Sequence, residues 1–192
     1  MVDEFRVRPI GHVRSAYRRL ETTPIQSGGN AEWGRIVLLP RFARGLRGLE
    51  GFDFVHVLTL LDRIPEQLPT QPGQLLQVPF LRQDRDEAVG VFACRHPVRP
   101  NRLGLSLVRV LEVRGRTIRF AGVDLLDGTP VLDVKPWAQR FDVPEWPRPN
   151  LAGIRCGWYE QVGSGDDRDR PAGSRSLDRA GVPEPDPPGS HR

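Results

Sequence analysis

The chain has 192 residues with a formal net charge of +4 at pH 7, a length that suits one domain with a tail rather than two domains. No apolar run reaches the roughly 18 residues of a membrane span, and the first 17 residues lack the apolar stretch of a signal peptide. We therefore expect a cytoplasmic protein without a membrane partner. The two cysteines, Cys94 and Cys156, form no metal-ligand pattern, so we expect free thiols and no bound metal.

Short strands separated by loops are predicted for the first third of the chain. Residues 5–13 begin with alternating apolar and basic side chains, which favours a half-buried strand, and residues 35–39 form a second apolar strand. Between them, residues 18–34 are polar and Gly-rich, so they predict a long loop. Spaced apolar residues at 41–49 predict one or two helical turns. Residues 54–61 are apolar nearly throughout, which predicts a strand covered on both faces.

The middle of the chain continues this pattern. Residues 65–87 carry Pro and Gln without a period and predict a second long loop. Two further strands, at 105–113 and 117–123, are separated by an Arg-Gly-Arg hairpin signal. About seven short strands with little helix favour an all-β barrel or sandwich. No Gly-x-Gly-x-x-Gly follows a strand, which argues against a dinucleotide-binding fold.

Two stretches carry most of the chemical signal, and the first is residues 90–106, GVFACRHPVRPNRLGLS. Apolar residues give way to Pro, Asn and Gly, so a strand is expected to run into a tight turn. Arg95 and Arg99 flank that turn. Planar guanidinium groups suit carboxylates and phosphates, so the pair predicts an anion-binding surface or, equally, two solvated side chains.

The second stretch is residues 123–137, VDLLDGTPVLDVKPW. Asp124, Asp127 and Asp133 surround an Asp-Gly turn, in which Gly128 permits either close approach to a ligand or a plain hairpin. Lys135 is the only lysine beside 27 arginines. A site that needs a compact ammonium group would keep a lysine in this way, and chance would too.

These two blocks resemble the TsaA-like, TrmO-type family of S-adenosylmethionine-dependent tRNA N6-methyltransferases. The resemblance extends upstream to IGHVRSAY at residues 10–17, PIQ at 24–26 and GLEGF at 48–52, and covers about residues 7–145. It implies a small all-β, single-sheet barrel with short helical turns and an unusual mode of binding S-adenosylmethionine. It also implies a homodimer in which the partner chain contributes residues to the site.

The resemblance further implies a set of cofactor-binding residues in which Arg95 receives the cofactor carboxylate or a neighbouring group. The set is Pro24, Ile25, Gln26, Asp62, Arg63, Arg95, Leu105, Leu125, Leu126, Asp127 and Gly128. The implied reaction is methyl transfer to N6 of N6-threonylcarbamoyladenosine at tRNA position 37. Asp124, Asp127 and Lys135 are the candidates for orienting the acceptor or accepting its proton. Arg99, Asn101 and Arg102 are the candidates for contacting the tRNA.

Two positions depart from the family pattern. Ile25 stands where the family typically has Arg, and Arg102 stands where it usually has Pro. Two alternatives therefore stay open. One is a methyltransferase of a small molecule or another RNA, and the other is a noncatalytic barrel that binds the cofactor or RNA.

The end of the chain changes in composition. Residues 137–159 hold three of the four tryptophans, and we expect this segment to pack over the barrel or across a subunit boundary. From residue 163 onward Gly, Ser, Asp, Arg and Pro dominate, which is typical of disorder. The predicted organisation is a TsaA-like β-barrel domain at 1–162 and a disordered tail at 163–192.

Overall fold

The computed structural model describes residues 5–64, 75–79, 87–143 and 155–161. The predicted tail at 163–192 and most of the loop predicted at 65–87 lie outside these residues, so the proposed domain boundary stays a prediction. The regular structure of the described part is mostly antiparallel strands with a few short helical turns, which confirms the predicted all-β barrel.

Six strands close into one barrel in the order β1-β2-β7-β6-β3-β8. A separate two-stranded sheet pairs β4 with β5. The strands are β1 (Gly11–Arg14), β2 (Trp33–Leu38), β3 (Phe54–Leu60), β4 (Leu76–Gln77), β5 (Val89–Gly90), β6 (Leu103–Arg114), β7 (Thr117–Ala121) and β8 (Pro130–Pro136).

The barrel interior is filled by the apolar side chains that alternate along each strand. Val13, Ile36, Val57, Ile118 and Phe120 are all 0% exposed. Successive side chains of a strand point to opposite faces, so the residues between them face outward. Each such buried aliphatic or aromatic side chain stabilises the fold by roughly 1.5–3 kcal/mol, which makes this interior the main source of stability.

Short helical turns occupy the connections. The 3₁₀ turns span Leu20–Thr22, Ser27–Gly29, Pro40–Leu46, Leu49–Gly51, Val91–Ala93 and Gly157–Gln161, and one α-helical turn, α1, spans Gln139–Asp142. The predicted hairpin between β6 and β7 is present, and its Gly115 adopts a φ of 60°. Glycine reaches this left-handed region without the steric cost that a side chain would add.

Three local predictions differ from the structure. The strand predicted at 5–13 begins only at Gly11, although Ile10 already bonds through its backbone to Val131 and Leu39. The strand at Phe54–Leu60 is buried on one face only, because its other face lies on the barrel exterior. The Asp127-Gly128 turn, with Gly128 at a φ of 85°, is not part of a hairpin. It lies on the connection between β7 and β8, which are not neighbours in the barrel.

The Trp-rich segment contacts the rest of the chain at both of its described ends. The backbone N–H of Trp137 donates to the Phe54 carbonyl at 3.0 Å, and the two rings meet edge to face with centroids 6.1 Å apart. Trp158 Nε1 donates to the Ala93 carbonyl at 2.8 Å. Residues 144–154 lie outside the described part. Among the described residues, no helix is long and apolar enough to cross a membrane.

Candidate active site

A pocket of about 1000 Å³ is formed where four segments of the chain converge. The segments are residues 20–26, 61–64, 92–106 and 124–129. Its volume lies at the upper end of the range of roughly 300–1,000 Å³ typical of small-molecule sites. Twelve of the predicted site residues line it: Pro24, Ile25, Gln26, Asp62, Arg63, Arg95, Arg99, Asn101, Leu105, Asp124, Leu125 and Leu126.

Asp124 is the half-buried acid of this pocket. It follows β7, and its Oδ1 accepts a 2.8 Å hydrogen bond from Ser106 Oγ on β6. Burial raises the pKa of Asp124 to about 6, against hydrogen bonds from Ser106 and the backbone and the charge of Arg95, which all lower it. A carboxyl group with a pKa near 6 is largely ionised at neutral pH and can accept a proton from a bound molecule.

Ser106 was not among the predicted site residues. It is 5% exposed and shares the inward face of β6 with Val108. The sequence did contain a signal for it, since Ser106 is a polar residue on the buried face of an apolar strand. Such a residue needs a hydrogen-bond partner, and Asp124 is that partner. Other lining residues that sequence reasoning missed include Phe92, Cys94, His96, Gly104 and Thr129.

Arg95 links two segments of the pocket wall. Its Nη1 donates to Gln26 Oε1 at 3.0 Å, which joins the loop before β2 to the turn after β5. A guanidinium group has five N–H donors in a planar fork, so this bond leaves others for an anion. The placement fits the predicted anion-binding surface, with Asp124 as the opposite charge in the same pocket.

The turn at residues 95–102 is held by its own polar groups. Arg99 Nη1 donates to the Cys94 carbonyl at 2.7 Å, and the Arg102 N–H donates to the Arg99 carbonyl at 3.2 Å. Arg102 adopts a φ of 48°, a conformation that costs a residue with a side chain roughly 1–3 kcal/mol. The Arg102 carbonyl then accepts from the Leu61 N–H at 2.8 Å, which ties the turn to the end of β3. Arg102 itself does not line the pocket.

His96 lies in the same turn with its ring against the backbone. Its Nδ1 accepts from the Val98 N–H at 3.2 Å. Burial, with a smaller effect of the Arg99 charge, lowers the pKa of His96. The imidazole is therefore neutral at pH 7 and adds no positive charge to the pocket.

Asp127 lies behind the pocket wall rather than in it. Its carboxylate accepts from the Ser15 N–H at 3.2 Å and from Arg18 Nη1, and Arg14 Nη1 lies 3.7 Å away. Its main-chain carbonyl accepts from Arg63 Nη2 at 2.5 Å. Asp127 thus fixes the turn that follows Leu125 and Leu126 against the end of β1. Gly128 lies in the same turn and, like Asp127, does not line the pocket.

Lys135 lies on β8, away from Asp124 and the pocket lining. Its Nζ is 3.2 Å from Asp133 Oδ2, and the side chain is 75% exposed. In the register of the barrel it stands opposite His56 on the outer face. A single chain therefore does not bring Lys135 together with the other two predicted catalytic residues. Within the described residues, no group of His, Cys, Asp or Glu side chains is arranged to hold a metal ion.

A closed antiparallel barrel with a large pocket of apolar walls, three arginines and a half-buried carboxyl group is a β-barrel ligand-binding domain outside the dinucleotide-binding folds. Residues 12–143 match the family model described as tRNA-methyltransferase O N-terminal domain, and the chain belongs to this family. The family predicted from the motif blocks at 90–106 and 123–137 is confirmed.

Individual relatives agree with this assignment. A protein of Pyrococcus abyssi, named as a probable S-adenosyl-L-methionine-binding protein, is 35% identical over 155 residues, which cover 80% of this chain and 76% of the relative. A tRNA (adenine(37)-N6)-methyltransferase of Mus musculus is 36% identical over 103 residues, 52% of this chain and 22% of that protein.

A solved structure of TrmO from Pseudomonas aeruginosa superimposes with a TM-score of 0.58 at 32% sequence identity. The match covers 80% of this chain and 65% of that one. The chain therefore spans just under two thirds of the solved protein that it matches.

Proposed function

We propose that the chain is a cytoplasmic S-adenosylmethionine-dependent methyltransferase that acts on N6 of N6-threonylcarbamoyladenosine at position 37 of tRNA. One observation carries the proposal most directly. Asp124, a half-buried carboxyl group oriented by Ser106, lies in a pocket of about 1000 Å³ within a barrel of the tRNA-methyltransferase O family. The names of the relatives, which include S-adenosyl-L-methionine-binding proteins and a tRNA methyltransferase, support the cofactor and the substrate class.

The donor set of the pocket fits S-adenosylmethionine. That cofactor combines an α-carboxylate, an α-amino group, a sulfonium cation, a ribose and an adenine ring. Arg95 supplies a cation for the carboxylate, and Gln26 supplies a polar partner. Leu105, Leu125 and Leu126 supply apolar walls for the adenosine end. We therefore assign these residues, with Pro24 and Ile25 of the same wall, to cofactor binding.

The bound cofactor supplies the methyl group, and the chain has to make the acceptor reactive. N6 of the substrate is a weak nucleophile because its lone pair is delocalised into the purine and the carbamoyl group. We assign proton acceptance to Asp124: its carboxylate takes the N6–H proton as the nitrogen gains the methyl group. Ser106 is a positioning residue that holds the carboxylate through Oδ1. Alignment within the pocket supplies further acceleration.

The wall of this site is held in place by contacts among Asp62, Arg63, Asp127 and Gly128 and their neighbours. Arg63 bonds the Asp127 carbonyl, lies 3.4 Å from Thr129 Oγ1 and pairs with Asp62 at 3.6 Å. These contacts hold the turn that carries Leu125 and Leu126. We therefore propose that Asp127 and Gly128 act on the cofactor site through loop position, while Asp62 and Arg63 line the pocket directly.

The turn at 95–102 is placed to receive the nucleic acid. Arg99 and Asn101 line the pocket, and Arg102 follows them at the start of β6. Arginine and asparagine side chains bind phosphates, base edges and carboxylates. We propose that this turn contacts the anticodon-loop backbone or the threonyl carboxylate of the modified base.

A homodimer would complete the pocket. Leu103, Leu105 and Leu107 on the outer face of β6 are 42%, 64% and 40% exposed, and the first two also line the pocket. A second copy that covers this face buries apolar surface and forms part of the pocket wall at once. His56 on β3 stands between Leu107 on β6 and Lys135 on β8, so Lys135 lies two strands away from Leu107 on the same outer face. We propose that Lys135 acts in the pocket of the partner subunit.

The direct test is methyl transfer by the purified full chain. Incubation with S-adenosylmethionine and tRNA that carries threonylcarbamoyladenosine should yield its N6-methylated nucleoside, detected by mass spectrometry after digestion. Asp124→Asn should lower the rate by about 10²–10⁴-fold, the contribution typical of a general base. Methylation of tRNA that lacks the threonylcarbamoyl group, or no product from any tRNA despite cofactor binding, would contradict the proposal.

Ile25 supports a second candidate. It lines the pocket at a position where the family typically has Arg, so one cation is missing from the wall. A pocket without that charge suits a less acidic acceptor, such as a small molecule or another RNA. Ile25→Arg distinguishes the two: it should raise transfer to threonylcarbamoyladenosine only if that group is not the native acceptor. Cofactor binding without turnover on any acceptor would instead support a noncatalytic barrel.

A further inference from the structure

We propose that the outer face of β1, β2 and β7 is a docking surface for the phosphate backbone of an RNA, separate from the pocket. The surface consists of Arg14, Arg35 and Arg119, here called the arginine row, together with Trp33. The inference rests on the proposed action on tRNA and extends it, because none of these residues lines the pocket.

The arginine row follows from strand register. Arg14 of β1 stands directly opposite Arg35 of β2, and Arg35 stands directly opposite Arg119 of β7. Neighbouring strands lie about 4.8 Å apart, so three guanidinium groups project from adjacent positions on one face. Like charges directly opposite each other destabilise a sheet unless an anion lies between them.

Few carboxylates offset these charges. Among the residues that the structure describes, neither Arg35 nor Arg119 forms an ion pair, although Glu112 stands opposite Arg119 across β6 and β7. The Nε of Arg119 is buried without a hydrogen-bond partner. Arg14 shares the single carboxylate of Asp127 with Arg18. The row therefore holds more positive charge than its surroundings balance, and it suits a polyanion.

Trp33 gives the surface an aromatic platform. Its ring is 48% exposed, and the guanidinium carbons of Arg35 and Arg119 lie 5.3 Å and 5.0 Å from the ring centroid. These contacts hold the two arginines side by side at little further cost in side-chain entropy. An exposed aromatic ring among arginines is the combination that binds RNA, whose bases stack while its phosphates pair with cations. An acidic peptide has no base to stack on the ring, so RNA is the occupant that this combination favours.

The surface reaches the rim of the pocket through one set of contacts. Arg14 lies 3.7 Å from Asp127, and the Asp127 carbonyl accepts from Arg63, which lines the pocket. Arg18, 75% exposed, lies beside Arg14 on the same carboxylate. An RNA strand on the arginine row therefore has cationic side chains along its path to the pocket.

The test is fluorescence anisotropy of labelled tRNA with the full chain across a salt series. Arg35→Gln/Arg119→Gln should weaken binding about tenfold and lower the slope of log K against log salt by roughly 1–2, since each lost phosphate contact removes about 0.7–0.9. The matched control is Arg41→Gln/Arg44→Gln, which removes the same charge from exposed positions in the turn Pro40–Leu46. This control should retain the affinity and slope of the wild type to within about twofold.

Folding and function are separated by further measurements. Arg35→Gln alone changes an exposed side chain and should show about half of the slope change. Cofactor binding, followed by calorimetry, should be unchanged in every variant.

If both double variants bind tRNA alike, the docking surface is wrong while the proposed function stands. If wild-type chain binds cofactor but no tRNA, the proposed tRNA substrate fails and the inference fails with it. If the arginine row governs binding of poly-L-glutamate but not of tRNA, the surface belongs to an acidic protein partner and the inference is overturned.

Discussion

The Ser106 hydroxyl donates a 2.8 Å hydrogen bond to Asp124 Oδ1, although the two residues belong to different elements and are 18 positions apart in the chain. The bond joins the inward face of β6 to the loop after β7. It also stabilises the ionised form of a carboxyl group whose pKa is raised by burial. Burial and this hydrogen bond act in opposite directions on the pKa of Asp124, so a residue that need not touch the acceptor helps to set its protonation state.

Removal of this hydroxyl should shift the pH dependence of methyl transfer. In the wild type the rate should rise with pH through about 6, as Asp124 loses its proton, and then level off. Ser106→Ala removes a hydrogen bond that lowers the pKa, so its rising limb should move upward by about half to one pH unit. Single-turnover rates from pH 5 to 9 measure this. A rate reduced equally at every pH would show that Ser106 has only a structural role.

Asp124→Asn should make the protein more stable at neutral pH while it removes activity. The pKa of Asp124 is about 6 in the fold against 3.8 for the free side chain, so the native state binds the proton more tightly than the unfolded state does. As pH rises from about 4 to 6 the wild type loses stability, because the unfolded chain gives up this proton at a lower pH than the folded chain does. The neutral Asn variant escapes this loss.

Thermal unfolding at a series of pH values tests this directly. The melting temperature of Asp124→Asn should exceed that of the wild type by several degrees at pH 7.5, and the difference should shrink toward pH 4. Glu50→Gln, a change of the same type at an exposed position, should show no such trend. A constant difference across the pH range would mean that the Asp124 charge does not cause it.

Gly104→Ala should destabilise the barrel beside the pocket. A Cβ at this position would lie 2.5 Å from Thr59 Oγ1 and 3.0 Å from Leu61 Cδ2, and Thr59 is fully buried. Overpacking of this kind costs roughly 1–3 kcal/mol. Denaturant unfolding should show that loss. Gly45→Ala provides the control, since a Cβ there meets nothing within 4 Å, and its stability should match or exceed that of the wild type.

Lys135 and Asp124 should complement each other between subunits. Lys135→Ala and Asp124→Asn should each be inactive alone if both residues serve one pocket. When the two variants are mixed and allowed to exchange subunits, half of the dimers hold one intact site, so about a quarter of wild-type activity should return. Full activity of Lys135→Ala alone would remove this residue from the mechanism. No recovery in the mixture would exclude action across the interface.

The sequence predicted the all-β barrel because the strand pattern depends on residues that are neighbours in the chain. The strands on either side of the Arg-Gly-Arg signal, predicted at 105–113 and 117–123, are present as β6 and β7. The burial of β3 on one face only, with Val55, Val57 and Thr59 inward, was not predicted, because its outward residues are largely apolar as well. The sequence also did not predict that the Asp127-Gly128 turn crosses between strands that are not neighbours, since strand order depends on contacts between distant segments.

The sequence predicted which segments form the site better than it predicted the roles of the individual residues. The motif blocks located Asp124 and Arg95, which line the pocket. They could not show that Asp127 faces Arg14 and Arg18 behind the wall, because residues three apart in a loop have no fixed common direction. Lys135 drew attention by composition alone, which carries no information about where a side chain points.

The barrel closes between β1 and β8 through a ladder of only two residue pairs. Only Gly11 and His12 pair with β8, at Val131 and Pro130, and Pro130 has no N–H to donate. The loop before β8 extends the seam, since the Val13 N–H donates to the Thr129 carbonyl and the Gly128 N–H donates to the Val13 carbonyl. Thr129 also lines the pocket, so a ligand that contacts this loop should stabilise the pairing between β1 and the segment that leads into β8. Occupancy of the pocket should thus slow amide hydrogen exchange along β1, on the far side of the loop from the ligand.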